Sequence, residues 1–359
     1  MTILEFEDPR SDPDRLAQRL EISREAVELY LSSDVIDLHI DSFIWNRIFG
    51  YDLARRHGHG LFGACFYSQV DFPRVLEAGL TGATWIITTN PARTARGRAR
   101  AFVKNLERLR GIFASVSDQF AVVRNAAEYE AARRDGKHGA FFGIQGGNAL
   151  DVAPDALDLI LDDLILRITI VHLTSSSLGA TSSPLQLRSD LGLTDRGRDY
   201  VRLLNEKNIF VDLAHISRKG FWDAVEVHDR SKPMIVTHTG VTGVTPHWRN
   251  LDDDQLRAVA NSGGTIGVMY QSSFLGDGAL SGRAESVAKH LLHIVKTVGD
   301  DHASLGSDWD GAITPPRDMK TCLELPRLVE ILLQRGLAPA TIQKILGTNF
   351  LRTVRLLRG

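Results

Sequence analysis

The sequence has few cysteines. Cys65 and Cys322 are the only two among 359 residues, which is too few for a disulfide framework. Neither has the close ligand neighbour of a thiolate metal motif. We therefore expect two free, buried thiols rather than one bridge.

Long apolar runs and an excess of charge are also absent. No stretch approaches the roughly 18 uncharged apolar residues that a membrane-spanning helix needs. The formal net charge of −2 gives no polybasic excess that would favour nucleic acid or an anionic membrane as a partner. Residues 1–24 lack the apolar core of a signal peptide, which predicts a cytoplasmic protein.

A further absence concerns the fold. No Gly-x-Gly-x-x-Gly turn follows Asp41, which argues against a doubly wound dinucleotide-binding sheet. Instead, eight apolar, β-branched runs alternate with helical segments, without a low-complexity linker. This pattern predicts an α/β chain folded as a (β/α)8 TIM-type barrel in a single domain, 1–359. Within it, 1–34 is a helical lead-in, 35–311 carries the barrel strands and 312–359 forms C-terminal helices.

The periodicity of apolar residues and the turn residues place the elements. The predicted strands are 35–41, 82–88, 139–147, 166–172, 209–215, 233–238, 264–270 and 303–308. The predicted helices are 23–32, 71–78, 92–116, 126–134, 157–161, 194–207, 219–227, 252–261, 284–298, 324–335 and 339–346. We interpret 43–63, which contains His57-Gly58-His59-Gly60, as a plain loop; the alternative is a loop over a site.

The first predicted strand carries His39 and Asp41. In an extended strand alternate residues share a face, so these two side chains point together, away from Leu38 and Ile40. An imidazole nitrogen beside a carboxylate oxygen suits a divalent transition metal. One such pair is more often a core histidine next to a strand-end aspartate.

Other predicted strands also end in groups that bind metals. In a barrel all carboxyl ends meet on one face, so residues far apart in sequence come within reach of one another there. Core histidines have no reason to occupy the ends of successive strands. The coincidence therefore favours a metal-centred hydrolytic site. Its members are His39 with Asp41, His172, His215, His238 and Asp308.

Several longer motifs point to a family. From about residue 35 to 355 the chain resembles the membrane (renal) dipeptidase family of the amidohydrolase superfamily. The motifs are Asp37-Leu38-His39-Ile40-Asp41, Val70-Asp71-Phe72-Pro73-Arg74, Val211-Asp212-Leu213-Ala214-His215-Ile216-Ser217, His247-Trp248-Arg249-Asn250, Gly306-Ser307-Asp308-Trp309-Asp310-Gly311 and Gly347-Thr348-Asn349-Phe350-Leu351-Arg352.

The resemblance implies a barrel with a binuclear zinc site that hydrolyses dipeptides, some with a D-residue at the carboxyl-terminal position. It also suggests a homodimer. In matching positions, His39 and Asp41 bind one metal, and His215 and His238 bind the other. His172 contacts the substrate carbonyl and steadies the oxyanion, Arg249 holds the substrate carboxylate, and Asp308 is the acid/base.

Two of the candidates rest on weaker grounds. A guanidinium suits two-point recognition of a carboxylate, which favours a functional role for Arg249; the alternative is a surface arginine after a turn. Tyr270, at the end of the seventh predicted strand, is a further candidate substrate contact.

One residue departs from the family pattern. Where the family has Glu-Gly-Gly, with the glutamate bridging both metals, this chain has Gln145-Gly146-Gly147. Two divalent ions repel each other, and bridging anions help to keep both in place. Gln145 is therefore a candidate ligand without charge, and we expect one or two zinc ions with the second bound more weakly.

Three functions follow from these observations. The leading one is a cytoplasmic zinc hydrolase of dipeptides or similar small amides, in which zinc lowers the pKa of water and supplies the hydroxide that attacks the carbonyl. The second, motivated by Gln145, is a non-hydrolytic isomerase or tautomerase of a biosynthetic pathway. The third is a metal-poor binding protein.

Overall fold

Eight parallel strands close into a barrel. The computed structural model describes residues 3–160, 162–184 and 191–359. The hydrogen-bonded order is β2-β1-β9-β8-β7-β6-β5-β4, and pairing of β4 with β2 closes the ring. The short β3 pairs with the first residues of β4. The strands are β1 (Ile36–Ile40), β2 (Gly82–Thr88), β3 (Phe120–Val122), β4 (His138–Gln145), β5 (Ile165–Thr169), β6 (Phe210–Asp212), β7 (Ile235–Thr239), β8 (Thr265–Val268) and β9 (Ala303–Leu305).

Helices join the strands and surround the barrel. They are α1 (Pro13–Leu20), α2 (Arg24–Ser32), α3 (Phe43–Phe49), α4 (Phe72–Glu77), α5 (Ala95–Ala114), α6 (Ala126–Arg134), α7 (Asp195–Glu206), α8 (Arg218–Val227), α9 (Asp253–Asn261), α10 (Ala284–Val298), α11 (Pro326–Gln334), α12 (Pro339–Gln343) and α13 (Asn349–Arg358). A π-helical segment, Lys344–Thr348, joins α12 to α13. No helix in the described ranges combines the length and the apolar character needed to span a bilayer.

The predicted barrel is confirmed, and all eight predicted strands are present. The helices predicted over 23–32 and 194–207 begin at side-chain caps, because Ser23 accepts a hydrogen bond from the backbone N–H of Ala26 and Thr194 accepts one from Gly197. Of the two free thiols, Cys322 is buried as expected, but Cys65 is only half-buried.

Other expectations were wrong in detail. The predicted loop 43–63 begins with α3, a short helix that ends at Gly50 in a left-handed conformation. The predicted helix 157–161 lies in a 3-10 turn, Pro154–Leu159, and its last residue falls outside the described residues. The helices α1 and α13 and the strand β3 were not predicted individually.

The half of the barrel interior at the amino ends of the strands is apolar. Ile36 and Leu38 of β1 pack with Phe141, Leu166 and Phe210 from strands across the ring. Phe350 and other side chains of α13 belong to the same cluster and close this end. Polar side chains are therefore confined to the opposite end of the interior, at the carboxyl ends of the strands.

The strand register shifts where the interior changes from apolar to polar. In β1 it shifts between Asp37 and Ile40 relative to β2, and in β7 between Val236 and Thr239 relative to β8. A similar shift in the pairing of β4 with β5 leaves Leu166 of β5 without a partner in β4. Such irregularities redirect side chains and are common next to active sites. Simple alternation along β1 is therefore wrong: both Leu38 and His39 have partners that lie across the barrel.

Candidate metal centre

Most of the predicted site residues converge at the carboxyl ends of the strands. One ligand atom each from His39, His238 and Asp308 lies within 4.8 Å of the others, and all three residues are buried. His39 belongs to β1 and His238 to β7, whereas Asp308 follows β9. The barrel thus brings together residues almost 270 positions apart in sequence, as expected for this fold (39 to 308).

His39 lies between two carboxylates. Its Nε2 is 3.4 Å from Asp308 Oδ1 and 3.7 Å from Asp41 Oδ2. The other oxygen of Asp41 accepts a hydrogen bond of 2.5 Å from Thr88 Oγ1, at the end of β2. Thr88 therefore orients Asp41 towards His39.

The remaining histidine pair faces Gln145. His215 Nε2 and His238 Nε2 are 2.8 Å apart, and Gln145 Nε2 is 3.0 Å from the first and 3.5 Å from the second. The other amide atom, Gln145 Oε1, is buried and has no hydrogen-bond partner. A structural amide satisfied by backbone groups is not what these contacts describe.

Two of the site residues have unusual backbone conformations. His215 and Asp308 lie beyond the ends of β6 and β9, with φ of 65° and 63°. Residues other than glycine seldom adopt this left-handed region, and those that do are concentrated at functional sites. His172 also follows its strand, so these three residues are in the loops and not at the last strand position.

Burial determines the electrostatics of the site. It lowers the pKa of His39, His215 and His238, with contributions from the nearby arginines or histidines. Burial, together with the charge of Asp41, raises the pKa of Asp308 well above its ordinary value. Burial would also raise the pKa of Asp41, but His39 and Thr88 outweigh it and lower that pKa.

His172 and Arg249 are at the same end of the barrel. The ring of His172 meets the ring of His215 edge-on, with centroids 4.7 Å apart, and desolvation lowers the pKa of His172 to about 4. Arg249 is 3% exposed, so it is not a surface arginine. Its Nη2 donates to the backbone oxygen of His238 at 2.7 Å, and its Nε has no partner.

Tyr270 is placed apart from the other candidates. Its ring packs against Trp309 at 5.2 Å, in the core cluster between the strands and helices that also contains Tyr30 of α2. Burial raises the pKa of Tyr270, and the nearby Asp37 and Tyr30 act in the same direction. Its role as a substrate contact stays a prediction.

A buried ion pair beneath the site was not assigned from the sequence. Arg167 of β5 donates from Nη1 to Asp212 Oδ2 of β6 at 2.9 Å, and both side chains are fully buried. Thr169 and Thr237 donate to the same carboxylate oxygen at 2.6 and 2.8 Å. The signal in the sequence was a charged residue inside each of two apolar strands, where an unpaired charge would be costly.

The donor set fits a divalent metal ion. His39 Nε2, Gln145 Oε1 and Asp308 Oδ1 are buried and without hydrogen-bond partners. Such orphaned polar atoms are expensive in a protein interior unless another group satisfies them. Imidazole nitrogen with carboxylate and amide oxygen is a combination that binds zinc and similar ions.

The sequence has relatives among known proteins. The profile of the membrane dipeptidase family, peptidase family M19, matches residues 23–357. A protein named "Dipeptidase tcpJ", from Claviceps purpurea (strain 20.1), is 28% identical over 252 residues, 70% of this chain and 59% of that one. An "Uncharacterized protein in pqqA 5'region" of Klebsiella pneumoniae is 35% identical over 170 residues, 46% of this chain and 60% of that one. The chain spans about three fifths of the length of these curated relatives.

Solved structures share the fold. The dipeptidase AC, a metallopeptidase, superposes with a TM-score of 0.78 at 26% identity, covering 91% of this chain and 99% of that one. A metallopeptidase from Rhodobacter sphaeroides, liganded with a phosphinate mimic of the dipeptide L-Ala-D-Ala, gives 0.76 at 25% identity, covering 90% and 99%. The probable dipeptidase PvdM from Pseudomonas aeruginosa gives 0.80 at 18% identity, covering 96% and 99%, a likeness of fold alone.

Proposed function

Because the chain belongs to the membrane dipeptidase family, a family of metallopeptidases, we propose that it is a zinc-dependent hydrolase of dipeptides or similar small amides. The observation that carries the proposal is the convergence of His39, His238 and Asp308 within 4.8 Å. The phosphinate mimic of L-Ala-D-Ala bound to the Rhodobacter relative supports a dipeptide as the substrate class. The cytoplasmic location and the homodimer stay predictions.

The candidate metal ligands come from four strands or strand ends. When bound, a divalent ion lowers the pKa of water and polarises the scissile carbonyl. We propose that the candidate ligands contribute unequally to holding the ion, since Gln145 offers an oxygen without a charge. They are His39, Asp41, Gln145, His215 and His238.

Asp308 is the proposed acid/base. Burial raises its pKa, so its carboxyl can hold a proton at Oδ1, the atom without a hydrogen-bond partner. It would take that proton from the attacking water and return it to the leaving amine. The proximity of Asp308 to His39 supports this role, because this carboxyl lies beside a residue of the candidate metal site.

Arg249 and His172 are proposed to hold the substrate. The Nε–H of Arg249 lacks a partner, so the planar guanidinium can donate to the carboxylate of a dipeptide. Because the pKa of His172 is lowered to about 4, its imidazole is neutral at pH 7, and its N–H can donate to the carbonyl oxygen as charge develops there.

A panel of L,L and L,D dipeptides tests the proposal. We expect the zinc-loaded protein to release amino acids from at least one of them, and Asp308→Asn to lower kcat on the order of 10²-fold or more while zinc stays bound. Asp158→Asn is the matched control, because this exposed carboxylate contacts Lys207 far from the site. If the zinc-loaded wild type releases no amino acid from any dipeptide, the peptidase proposal is wrong.

A further inference from the structure

A guanidinium contacts the candidate ligand His39 from below. Arg167 of β5 is fully buried, and its Nη2 is 2.7 Å from His39 Nδ1. Gly143 of β4 leaves room for this side chain, because a Cβ there would lie 2.8 Å from Arg167 Nε. The guanidinium has donors and no acceptor, so His39 Nδ1 must accept this hydrogen bond.

This contact determines which nitrogen of His39 carries the proton. A neutral imidazole has one N–H and one acceptor nitrogen. Since Nδ1 accepts, the proton is on Nε2, the atom that faces the carboxylates of Asp308 and Asp41. Histidines that bind metals show the reverse, with the remote N–H donating to a carboxylate or a carbonyl oxygen.

His238 has that reverse arrangement. Its Nδ1 is 2.9 Å from Thr237 Oγ1, and the hydroxyl of Thr237 donates its own proton to Asp212 Oδ2 at 2.8 Å. The hydroxyl oxygen therefore accepts from the Nδ1–H of His238. This leaves the lone pair of His238 Nε2 free, where it faces His215 and Gln145.

We propose that Arg167 is a positioning residue that keeps His39 from binding a metal ion through Nε2, so that the centre holds one divalent ion, on the side of His215 and His238. The proposal rests on the proposed function only in that a metal ion binds at this site, and it removes His39 from the candidate ligands named there. His39 then donates its Nε2–H towards the carboxylates of Asp41 and Asp308, and acts as their partner and not as a ligand.

Two single substitutions test which histidine holds the ion. We expect one zinc ion per chain in the wild type by metal analysis after dialysis. His39→Gln should leave that count at one, whereas His238→Gln should reduce it to none. A wild type with two ions, or loss of the ion in a folded His39→Gln variant, would overturn the proposal.

Removal of the guanidinium tests its role directly. Replacing Arg167 alone would leave Asp212 buried and unpaired, so the variant is the double substitution Arg167→Met with Asp212→Asn. We expect its zinc count to rise from one towards two. Arg167→Lys, which keeps the charge and a donor, should stay at one.

The matched control is another buried ion pair outside the site. Arg74 donates to Asp71 at 2.7 Å, and both side chains are almost fully buried. Arg74→Met with Asp71→Asn should lose stability but keep the wild-type zinc count, with folding checked by circular dichroism. If the Arg167 double variant is folded and still binds one ion, the proposal is wrong.

These outcomes are separate from the proposed activity. A change in zinc count without hydrolysis of any dipeptide would support the role of Arg167 and remove the peptidase proposal. Hydrolysis by a wild type that binds two ions would do the opposite.

Discussion

Gln145 has an unusual environment for an amide. Its nitrogen and oxygen lie in the interior beside two imidazoles, and its oxygen has no hydrogen-bond partner. A half rotation of the terminal amide would direct the oxygen at the same two nitrogens, since both atoms occupy nearly equivalent positions. In either orientation the side chain reaches the metal-binding face but brings no negative charge.

We expect Gln145→Glu to bind its zinc ion more tightly than the wild type and to speed up hydrolysis of simple dipeptides. The substitution adds an anion of nearly the same shape beside His215 and His238. A zinc titration and melting temperatures, measured with and without added zinc, check the prediction. Zinc affinity no higher than that of the wild type, with a lower melting temperature, would show that the new carboxylate is merely buried and unpaired.

The residues that could be predicted from the sequence are those whose position follows from the barrel alone. His39, His215, His238 and Asp308 were found because carboxyl ends of parallel strands meet on one face. The contact of Arg167 with His39 could not be found in this way. It depends on a register shift in each of two strands across the ring, and apolar periodicity does not record such shifts.

At the scale of elements, the long periodic segments were predicted well, and the elements that were missed between β1 and β9 are short. The helices α6 and α10 have the predicted bounds. The strand β3 has three residues and α3 has seven, too few for a period to be recognised. Six of the eight predicted strands extend too far at their carboxyl ends, because the apolar character continues into loops that lie over the core.

The junction between the π-helical segment and β1 is tightly packed. A Cβ on Gly347 would lie 2.5 Å from the backbone oxygen of Asp34, just before β1. We therefore expect Gly347→Ala to lower the free energy of unfolding by about 1–3 kcal/mol, because the backbones must move apart. Urea unfolding measures the effect.

Gly111 in α5 provides the control for that substitution. It is exposed, and a Cβ added to it would have no neighbour within 4 Å, so Gly111→Ala should raise stability by about 0.5–1 kcal/mol through helix propensity. If Gly347→Ala were also neutral or stabilising, the close approach at Asp34 would not be a real constraint on the fold.

At the scale of the whole molecule, the barrel buries ionisable groups far from the metal-binding end. His138 begins β4 and is 2% exposed. Its Nδ1–H donates to the backbone oxygen of Leu80 at 2.9 Å, and its Nε2 accepts from the indole N–H of Trp85 at 3.3 Å. Both nitrogens are occupied by the neutral ring, and burial lowers the pKa of His138 to about 4.

This histidine should make the folding of the whole chain sensitive to acid. In the unfolded chain the imidazole binds a proton near its ordinary pKa of 6.5, before the folded protein does at about 4. Stability from the neutral ring is therefore complete above pH 6.5 and is lost as the pH falls towards 4. The loss between pH 7.5 and pH 5 amounts to about 2 kcal/mol for a group with these two pKa values.

His138→Asn tests this contribution, because asparagine keeps a donor for Leu80 but cannot titrate. We expect the variant to be less stable than the wild type at pH 7.5 and to lose about 2 kcal/mol less free energy of unfolding on acidification. Urea unfolding of both proteins at the two pH values, at one zinc concentration, cancels the contributions of the other histidines. Parallel pH profiles for the two proteins would show that His138 is not responsible for the acid sensitivity.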